Sequence, residues 1–170
     1  MEPAEDISVL FARTLPDEAA TAALARDLAP FLRRGDVLAL WGDLGAGKTS
    51  FARALITYLS AAAEDVPSPT FTLVQTYPGR IGEAREPVEL WHFDLYRLTA
   101  PEQAYDLAIE EAFEGGISLI EWPVRLGYLL PAKRLDLTLT LTDEVGRRRA
   151  EIAGNDVWHR RLASLMTGEA

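Results

Sequence analysis

A glycine-rich segment between an apolar run and an amphipathic stretch is the feature that most constrains this chain. It reads Gly42-Asp43-Leu44-Gly45-Ala46-Gly47-Lys48-Thr49 and satisfies the pattern G-x-x-x-x-G-K-[ST]. Glycine permits backbone angles closed to other residues, so successive N–H groups of such a loop can turn toward one anion. Lys48 offers a compact positive charge to the β- and γ-phosphates of a nucleotide, and Thr49 offers a hydroxyl to Mg²⁺. The segment therefore predicts a phosphate-binding loop.

The residues on either side of this loop have the pattern that it requires. Residues 36–41 are almost wholly apolar, which is typical of a strand buried on both faces. From Lys48 to about Ser60, apolar residues recur at helical spacing, and the positive end of that helix points at the loop. We expect the phosphates of a bound nucleotide to contact the following residues: Asp43, Leu44, Gly45, Ala46, Gly47, Lys48, Thr49 and Ser50.

The rest of the chain alternates predicted strands and helices. The strands cover residues 7–12, 70–77, 88–95, 117–120, 135–142 and 147–152, and the helices cover residues 17–34, 101–113 and a segment starting near 155. Strict alternation directs four residues inward on the first strand of an antiparallel hairpin: Leu135, Leu137, Leu139 and Leu141. Residues 78–87 predict a surface loop. We expect one α/β domain over residues 1–170, with a central sheet, helices on both faces and an antiparallel edge hairpin.

Charge and cysteine content exclude several classes of function. Seventeen basic and 26 acidic residues give a formal net charge of −9, which disfavours direct binding to DNA or RNA. The local basic run Arg147-Arg148-Arg149 is interpreted as a solvated strand or turn. The absence of cysteine excludes disulfides, thiolate nucleophiles and cysteine-based zinc sites. No signal peptide and no membrane-length apolar run is visible, so we expect a cytoplasmic protein without membrane contact.

Two acidic residues at predicted strand ends are candidates for completing the site. Glu121 follows the apolar strand at 117–120, where a magnesium-associated acid is expected beside the loop; an ordinary surface acid is the alternative. Asp94 shares a strand face with His92 by alternation, and from the pattern alone a site role and a structural role fit Asp94 equally well. His92 is interpreted as a hydrogen-bonded structural residue. Ser68-Pro69-Thr70 and Trp122 each fit either a nucleotide-sensing element or ordinary packing.

Taken together, these segments resemble the TsaE family of bacterial ATPases, which is required for threonylcarbamoyladenosine modification of tRNA. The matching stretches are DEAATAALARDLA at 17–29, GDLGAGKTSFARAL at 42–55, SPTFTLVQTY at 68–77, HFDLYRL at 92–98 and ISLIEWPVRLGYLLP at 117–131. They follow the family's order and cover most of the chain.

The resemblance implies a P-loop NTPase-like fold that uses ATP and Mg²⁺, hydrolyses ATP weakly alone, and works with TsaD and TsaB. Contact with tRNA would then be indirect, through that complex. The resemblance also implies catalytic roles for Lys48, Asp94 and Glu121, and metal binding by Thr49 and Glu121. Ser68-Pro69-Thr70 corresponds to a switch-like loop, Trp122 to a functionally sensitive aromatic and Thr21 to a residue near the adenine.

Three other functions compete with this interpretation. A small-molecule kinase would use the same loop, but the chain has no arginine-rich lid segment late in its sequence. A regulatory GTPase usually carries an Asn-Lys-x-Asp motif, and none occurs here. A module whose nucleotide state only gates protein binding remains open, because slow hydrolysis and pure switching use the same residues.

Overall fold

The computed structural model describes residues 6–60, 69 and 71–168, and its strands form a single seven-stranded sheet. The strands are β1 (Ser8–Leu15), β2 (Val37–Trp41), β3 (Val74–Ile81), β4 (Glu86–Asp94), β5 (Ile117–Glu121), β6 (Leu135–Leu141) and β7 (Arg148–Gly154). The α-helices are α1 (Glu18–Leu28), α2 (Lys48–Leu59), α3 (Ile109–Gly115), α4 (Asp156–Arg161) and α5 (Ala163–Thr167). The 3-10 helices are Ala29–Phe31, Pro101–Leu107 and Pro123–Leu129.

The strand order is β1-β7-β6-β2-β5-β4-β3. The central strands β6, β2, β5 and β4 run parallel to one another. β3 lies antiparallel on one margin, and β7 followed by β1 lies antiparallel on the other. The α/β prediction is therefore confirmed, including the antiparallel β6–β7 hairpin, but antiparallel strands occupy both margins and β1 covers the outer edge of that hairpin.

Apolar side chains on the two faces of the sheet form separate clusters. One cluster joins α1, α2 and α4 to the sheet through residues such as Leu24, Phe51 and Trp158. The other lies under α3 and two of the 3-10 helices, around Phe93 and Ile109. β2 and β5 are buried almost throughout, because both of their faces are covered.

The predicted loop at residues 78–87 is wrong, since most of it belongs to a β-hairpin. β3 pairs with β4 from Val74↔Phe93 to Ile81↔Glu86, and the turn between them is only residues 82–85. Pro78 is tolerated because β3 is an edge strand. Gly79 lets Leu90 pack against its backbone, where an added Cβ would meet Leu90 Cδ1 at 2.8 Å. Of the residues that suggested a loop, Pro78 and Gly79 thus lie on the edge strand and Gly82 lies in the turn, whereas Pro87 is the second residue of β4.

Two predicted helices are also shorter than expected. The helix predicted at 17–34 leaves α geometry after Leu28, where Pro30 enters a 3-10 turn that needs no N–H from it. The helix predicted at 101–113 is divided by Ala108, whose φ of 58° is left-handed. On β6 the predicted inward face holds for Leu135, Leu137 and Leu139, whereas Leu141 is 51% exposed beside the hairpin turn.

The parallel core brings separate parts of the sequence to one edge of the sheet. Residues 42–47 leave the carboxyl end of β2, and the neighbouring strand β5 ends at Glu121, which pairs in register with Leu40. The next strand, β4, ends at Asp94, the register partner of Glu121. Carboxyl ends of parallel strands are where α/β proteins bind ligands. The predicted loop and both predicted acids therefore lie side by side.

Candidate functional site: a phosphate-binding loop facing two carboxylates

The predicted phosphate-binding loop, residues 42–49, joins β2 to α2 through backbone angles that suit glycine. Gly42, Gly45 and Gly47 have φ values of 145°, 80° and 106°, and Gly47 caps the N-terminus of α2. A Cβ added at Gly42 would lie 2.5 Å from the carbonyl oxygen of Leu139, so this position also lacks room for a side chain. The loop is closed by the N–H of Ala46, which donates to the Asp43 carbonyl across 3.0 Å. This geometry aims the amino end of a helix at the cleft.

Lys48 lies folded over the loop that precedes it. Its ammonium donates to the carbonyls of Gly42 and Asp43 at 2.5 and 2.8 Å, and it lies 4.4 Å from the ring centroid of Trp122. Burial lowers the pKa of Lys48 from its usual value, while the charges of Glu121, Asp94 and Asp43 act to raise it. The residue is therefore a desolvated cation with weak neutral acceptors, which favours an anionic ligand.

Glu121 connects the loop to the interior of the sheet. Its Oε1 accepts a hydrogen bond from the Thr49 hydroxyl across 2.6 Å, and its Oε2 lies 2.7 Å from His92 Nε2. Glu121 and His92 are 3% and 0% exposed. The second ring nitrogen of His92, Nδ1, has no partner among the described residues. With Nε2 as the donor, His92 fixes the orientation of the carboxylate that faces Thr49.

Asp94 is the second carboxylate of the cleft. It is 7% exposed, and its Oδ1 accepts a hydrogen bond from the Tyr96 N–H across 3.2 Å. Its own N–H donates to the carbonyl of Leu73, a residue with a left-handed φ of 66°. Asp94 is thus held at the strand end by backbone contacts on both sides. Its carboxylate faces the same cavity as Glu121.

A cleft of about 220 Å³ unites these groups. Its walls are formed by Leu44, Gly45, Gly47, Lys48, Thr49, Ser50, Asp94, Glu121, Trp122 and Arg148. Trp122 has a left-handed φ of 57° and packs against Tyr96 with ring centroids 4.9 Å apart. The cleft therefore has cations at Lys48 and Arg148, two carboxylates, and an aromatic wall beside Lys48.

Arg148 lines the cleft but was not predicted from the sequence, because the basic run at 147–149 was interpreted as a solvated strand or turn. Its guanidinium reaches from β7 to the loop, where Nη2 donates to the Gly45 carbonyl across 3.2 Å. In the structure β6 runs parallel to β2, so the turn after β6 lies near the loop that follows β2. The parallel pairing of those two strands was not visible in the sequence.

Other predicted residues lie outside the cleft wall or outside the described residues. Thr21 is buried on α1, with its hydroxyl 3.5 Å from the Asp17 carbonyl, and its placement near an adenine stays a prediction. Asp43 and Ala46 belong to the loop but not to the cleft wall. Ser68 and Thr70, two residues of the predicted switch-like loop, lie outside the described part of the chain. None of the helices in the described residues is long and apolar enough to cross a membrane.

Comparisons with known proteins agree on one family. The family model "Threonylcarbamoyl adenosine biosynthesis protein TsaE" matches residues 15–150. The chain is 38% identical to the tRNA threonylcarbamoyladenosine biosynthesis protein TsaE of Rickettsia conorii over 153 residues, which cover 90% of this chain and 83% of that protein. It is 38% identical to the Bacillus subtilis TsaE over 125 residues, covering 73% and 72% of the two chains.

A solved structure is similar over nearly the whole chain. The crystal structure of YdiB from Bacillus subtilis superposes with a TM-score of 0.74 and 26% sequence identity. The match covers 95% of this chain and 96% of that one. The described sheet and its flanking helices therefore have a counterpart in an experimental structure.

Proposed function

The chain belongs to the TsaE family of threonylcarbamoyladenosine biosynthesis proteins, and from that premise we propose that it is a magnesium-dependent ATPase supporting this modification of tRNA. The observation that carries the proposal is the hydrogen bond between Thr49, which ends the phosphate-binding loop, and Glu121, which ends the neighbouring strand. It joins a phosphate-binding element to a magnesium-type carboxylate in one cleft. A phosphate-binding loop alone would support only binding.

The loop and the start of α2 account for nucleotide binding. Their N–H groups and the helix dipole favour the β-phosphate, and Lys48 supplies a mobile positive charge. Lys48 exchanges its contacts with the Gly42 and Asp43 carbonyls for phosphate oxygens when ATP binds. A charge-assisted contact is about twice as strong as a neutral one, so this exchange favours the bound state.

The side chains present fit a magnesium ion. Among the described residues, no three His, Cys, Asp or Glu side chains cluster into a metal site of their own. Mg²⁺ is commonly held by one or two carboxylates together with substrate phosphates. The Thr49 hydroxyl and the Glu121 carboxylate, which are 2.6 Å apart, are hard oxygen ligands of this kind. When bound, Mg²⁺ neutralises charge on the phosphates of the nucleotide.

Asp94 is the group proposed to act on water. It lies beside Glu121 at the end of the adjacent strand, and its carboxylate is oriented by the Tyr96 N–H. A carboxylate there accepts a hydrogen bond from water and directs the water oxygen toward the γ-phosphorus. The new O–P bond replaces the bond to the β–γ bridging oxygen, and the products are ADP and inorganic phosphate.

We propose TsaD and TsaB as the partners of this chain, with tRNA contacted only through their complex. The net charge of −9 supports this division of labour, because an acidic protein is repelled by an RNA backbone. ATP turnover would then reset the complex, while transfer of the threonylcarbamoyl group takes place on TsaD. A cytoplasmic location follows from working on tRNA.

The test separates an ATPase from a nucleotide-gated binding module. Asp94→Asn is expected to bind ATP with near-normal affinity, release phosphate at least about 100-fold more slowly and fail to sustain tRNA modification in the reconstituted system. Asp106→Asn, an exposed acid on the 3-10 helix Pro101–Leu107, is the matched control. If Asp94→Asn stops hydrolysis but supports full modification, the chain is a module and not an ATPase in function. Stoichiometric phosphorylation of a metabolite would instead identify a kinase.

A further inference from the structure

Arg148 makes a long-range contact that the proposed mechanism does not use. From the start of β7 its guanidinium spans to the phosphate-binding loop, and Nη2 donates to the Gly45 carbonyl across 3.2 Å. Nη1 donates to the Gly146 carbonyl across 3.3 Å. The side chain lies flat against Gly47, where an added Cβ would approach Arg148 Nε to 3.0 Å. Arg148 therefore covers the loop directly.

The hydrogen bonds of Arg148 are weak for a cation in such a position. Both acceptors are neutral carbonyls near the long end of the hydrogen-bond range. Its Nε is covered and has no acceptor among the described residues. Its two neighbours differ, since Arg147 is 2.9 Å from Glu144 and Arg149 is 3.9 Å from Glu151. Arg148, the middle arginine of the run, therefore faces the cleft, and it forms no ion pair with a carboxylate among the described residues.

The topology places Arg148 across the loop from the carboxylates. β2, which leads into the loop, has β5 on one side and β6 on the other. Glu121 comes from β5, whereas Arg148 comes from β7, where it is the register partner of Leu141 at the end of β6. Both Arg148 and Glu121 line the same cleft. Arg148 and the carboxylates therefore reach this cleft from opposite sides of the loop, and a phosphate chain with its terminal group at the carboxylates has Arg148 on the other side of the cleft.

We infer that Arg148 is a second cationic contact for the nucleotide, which binds the phosphates remote from the bond that is hydrolysed. This inference rests on the proposed nucleotide binding. On binding, the guanidinium exchanges the Gly45 carbonyl for a phosphate, whose oxygens accept its planar N–H groups in pairs. Because ADP retains those phosphates, Arg148 contributes to the affinity for ADP and ATP alike and little to the hydrolytic step.

The experiment compares single arginine variants in the full-length chain. Arg148→Gln, Arg148→Lys, Arg147→Gln and Arg149→Gln are titrated with fluorescent ADP and ATP, and kcat and KM for ATP are measured at saturating Mg²⁺. Arg148→Gln is expected to weaken both nucleotides by about tenfold, as for loss of one hydrogen bond to a charged group, with kcat within about twofold. Arg148→Lys should weaken binding less, and the two neighbouring variants should bind normally. Thermal unfolding without nucleotide checks that each variant is folded. If Arg148→Gln does not fold, Arg148→Lys still tests the inference.

Two results overturn the inference. One is normal nucleotide affinity of both single Arg148 variants, while the separate variant Lys48→Ala no longer binds nucleotide. That result leaves the proposed function intact. The other is a fall in kcat of tenfold or more with unchanged affinity, which would place Arg148 at the transferred phosphoryl group. Failure of the wild-type chain to bind either nucleotide would overturn the proposed function together with this inference.

Discussion

Thr49 donates its hydroxyl to Oε1 of Glu121 across 2.6 Å, although the two residues are 72 positions apart in the chain. This contact joins α2, the helix that follows the glycine-rich loop, to the carboxyl end of β5. It is available only because β2 and β5 are parallel neighbours, whose carboxyl ends meet. The pair is the structural basis for the magnesium requirement that we propose.

Removing either member of the pair should raise the Mg²⁺ concentration needed for hydrolysis. Thr49→Val removes one hard oxygen ligand, and Glu121→Gln removes the negative charge of the other ligand. Half-maximal activity of each variant should therefore need about 10–100-fold more Mg²⁺. A titration of phosphate release against Mg²⁺ measures this. Thr57→Val is the control, since Thr57 is exposed on the same helix. An unchanged Mg²⁺ curve for both variants would remove this pair from the metal site.

His92 should act through Glu121 and not only through packing. His92→Gln keeps an N–H donor and is expected to retain most activity, whereas His92→Leu leaves the carboxylate without that donor. We expect His92→Leu to lower Mg²⁺ affinity about 10-fold or more and to cost about 1–3 kcal/mol of folding stability. Mg²⁺ titration and urea unfolding report the two effects separately. Equal losses in the Leu and Gln variants would show that shape alone matters at this position.

The pKa of Lys48 should be measurably lower than that of an exposed lysine. Burial lowers it, and Glu121 is the first of the nearby acids that act to raise it. Glu121→Gln should therefore lower the Lys48 pKa further, and ATP affinity should fall as pH rises through that pKa because the neutral amine attracts phosphate weakly. NMR of labelled lysine carbons suits this chain, since Lys48 and the exposed Lys133 are its lysines. Identical titration of the two residues would contradict the buried-cation geometry.

Asp36 should make the folding stability decline with rising pH over part of the acidic range. Burial raises the pKa of Asp36 above its ordinary value of 3.8, against the opposing effects of the Arg33 N–H and of Arg161, which lies 2.6 Å away. Between 3.8 and the raised value the folded state binds more protons than the unfolded state, so the free energy of unfolding decreases as pH increases. Asp36→Asn removes this contribution, and urea unfolding of both proteins across the acidic range measures it. If the free energies of unfolding of the wild-type chain and Asp36→Asn differ by the same amount at every pH, the raised pKa of Asp36 is contradicted.

Local chemistry made much of this fold and site predictable from the sequence. The glycine-rich loop has spacing that few other structures satisfy. β2 is apolar throughout, and β5 is apolar up to Glu121 except for the buried Ser118, because both faces of these strands are covered. Glu121 and Asp94 were identified because each ends an apolar or alternating strand. These features depend on residues that are near one another in the chain.

Features that depend on distant pairing were not predictable in the same way. The β3–β4 hairpin contains Pro78 and Gly79, which are typical of a loop. The edge position of β3 explains the proline, and the packing of Leu90 against the backbone explains the glycine. The left-handed Ala108 divides a helix without a glycine to mark the break. Arg148 reaches the site through the order of strands in the sheet, which the residues of β7 do not encode locally.

We propose above that this cleft hydrolyses ATP in support of tRNA modification with TsaD and TsaB. The most direct measurement is phosphate release from ATP by the wild-type chain and by Glu121→Gln, each alone and with the TsaD–TsaB pair, at the Mg²⁺ concentration that gives half-maximal activity of the wild-type chain. We expect slow release by the wild-type chain alone, a large stimulation by the pair, and loss of that stimulation in Glu121→Gln. Equal rates with and without the pair, or full stimulation of Glu121→Gln, would contradict it.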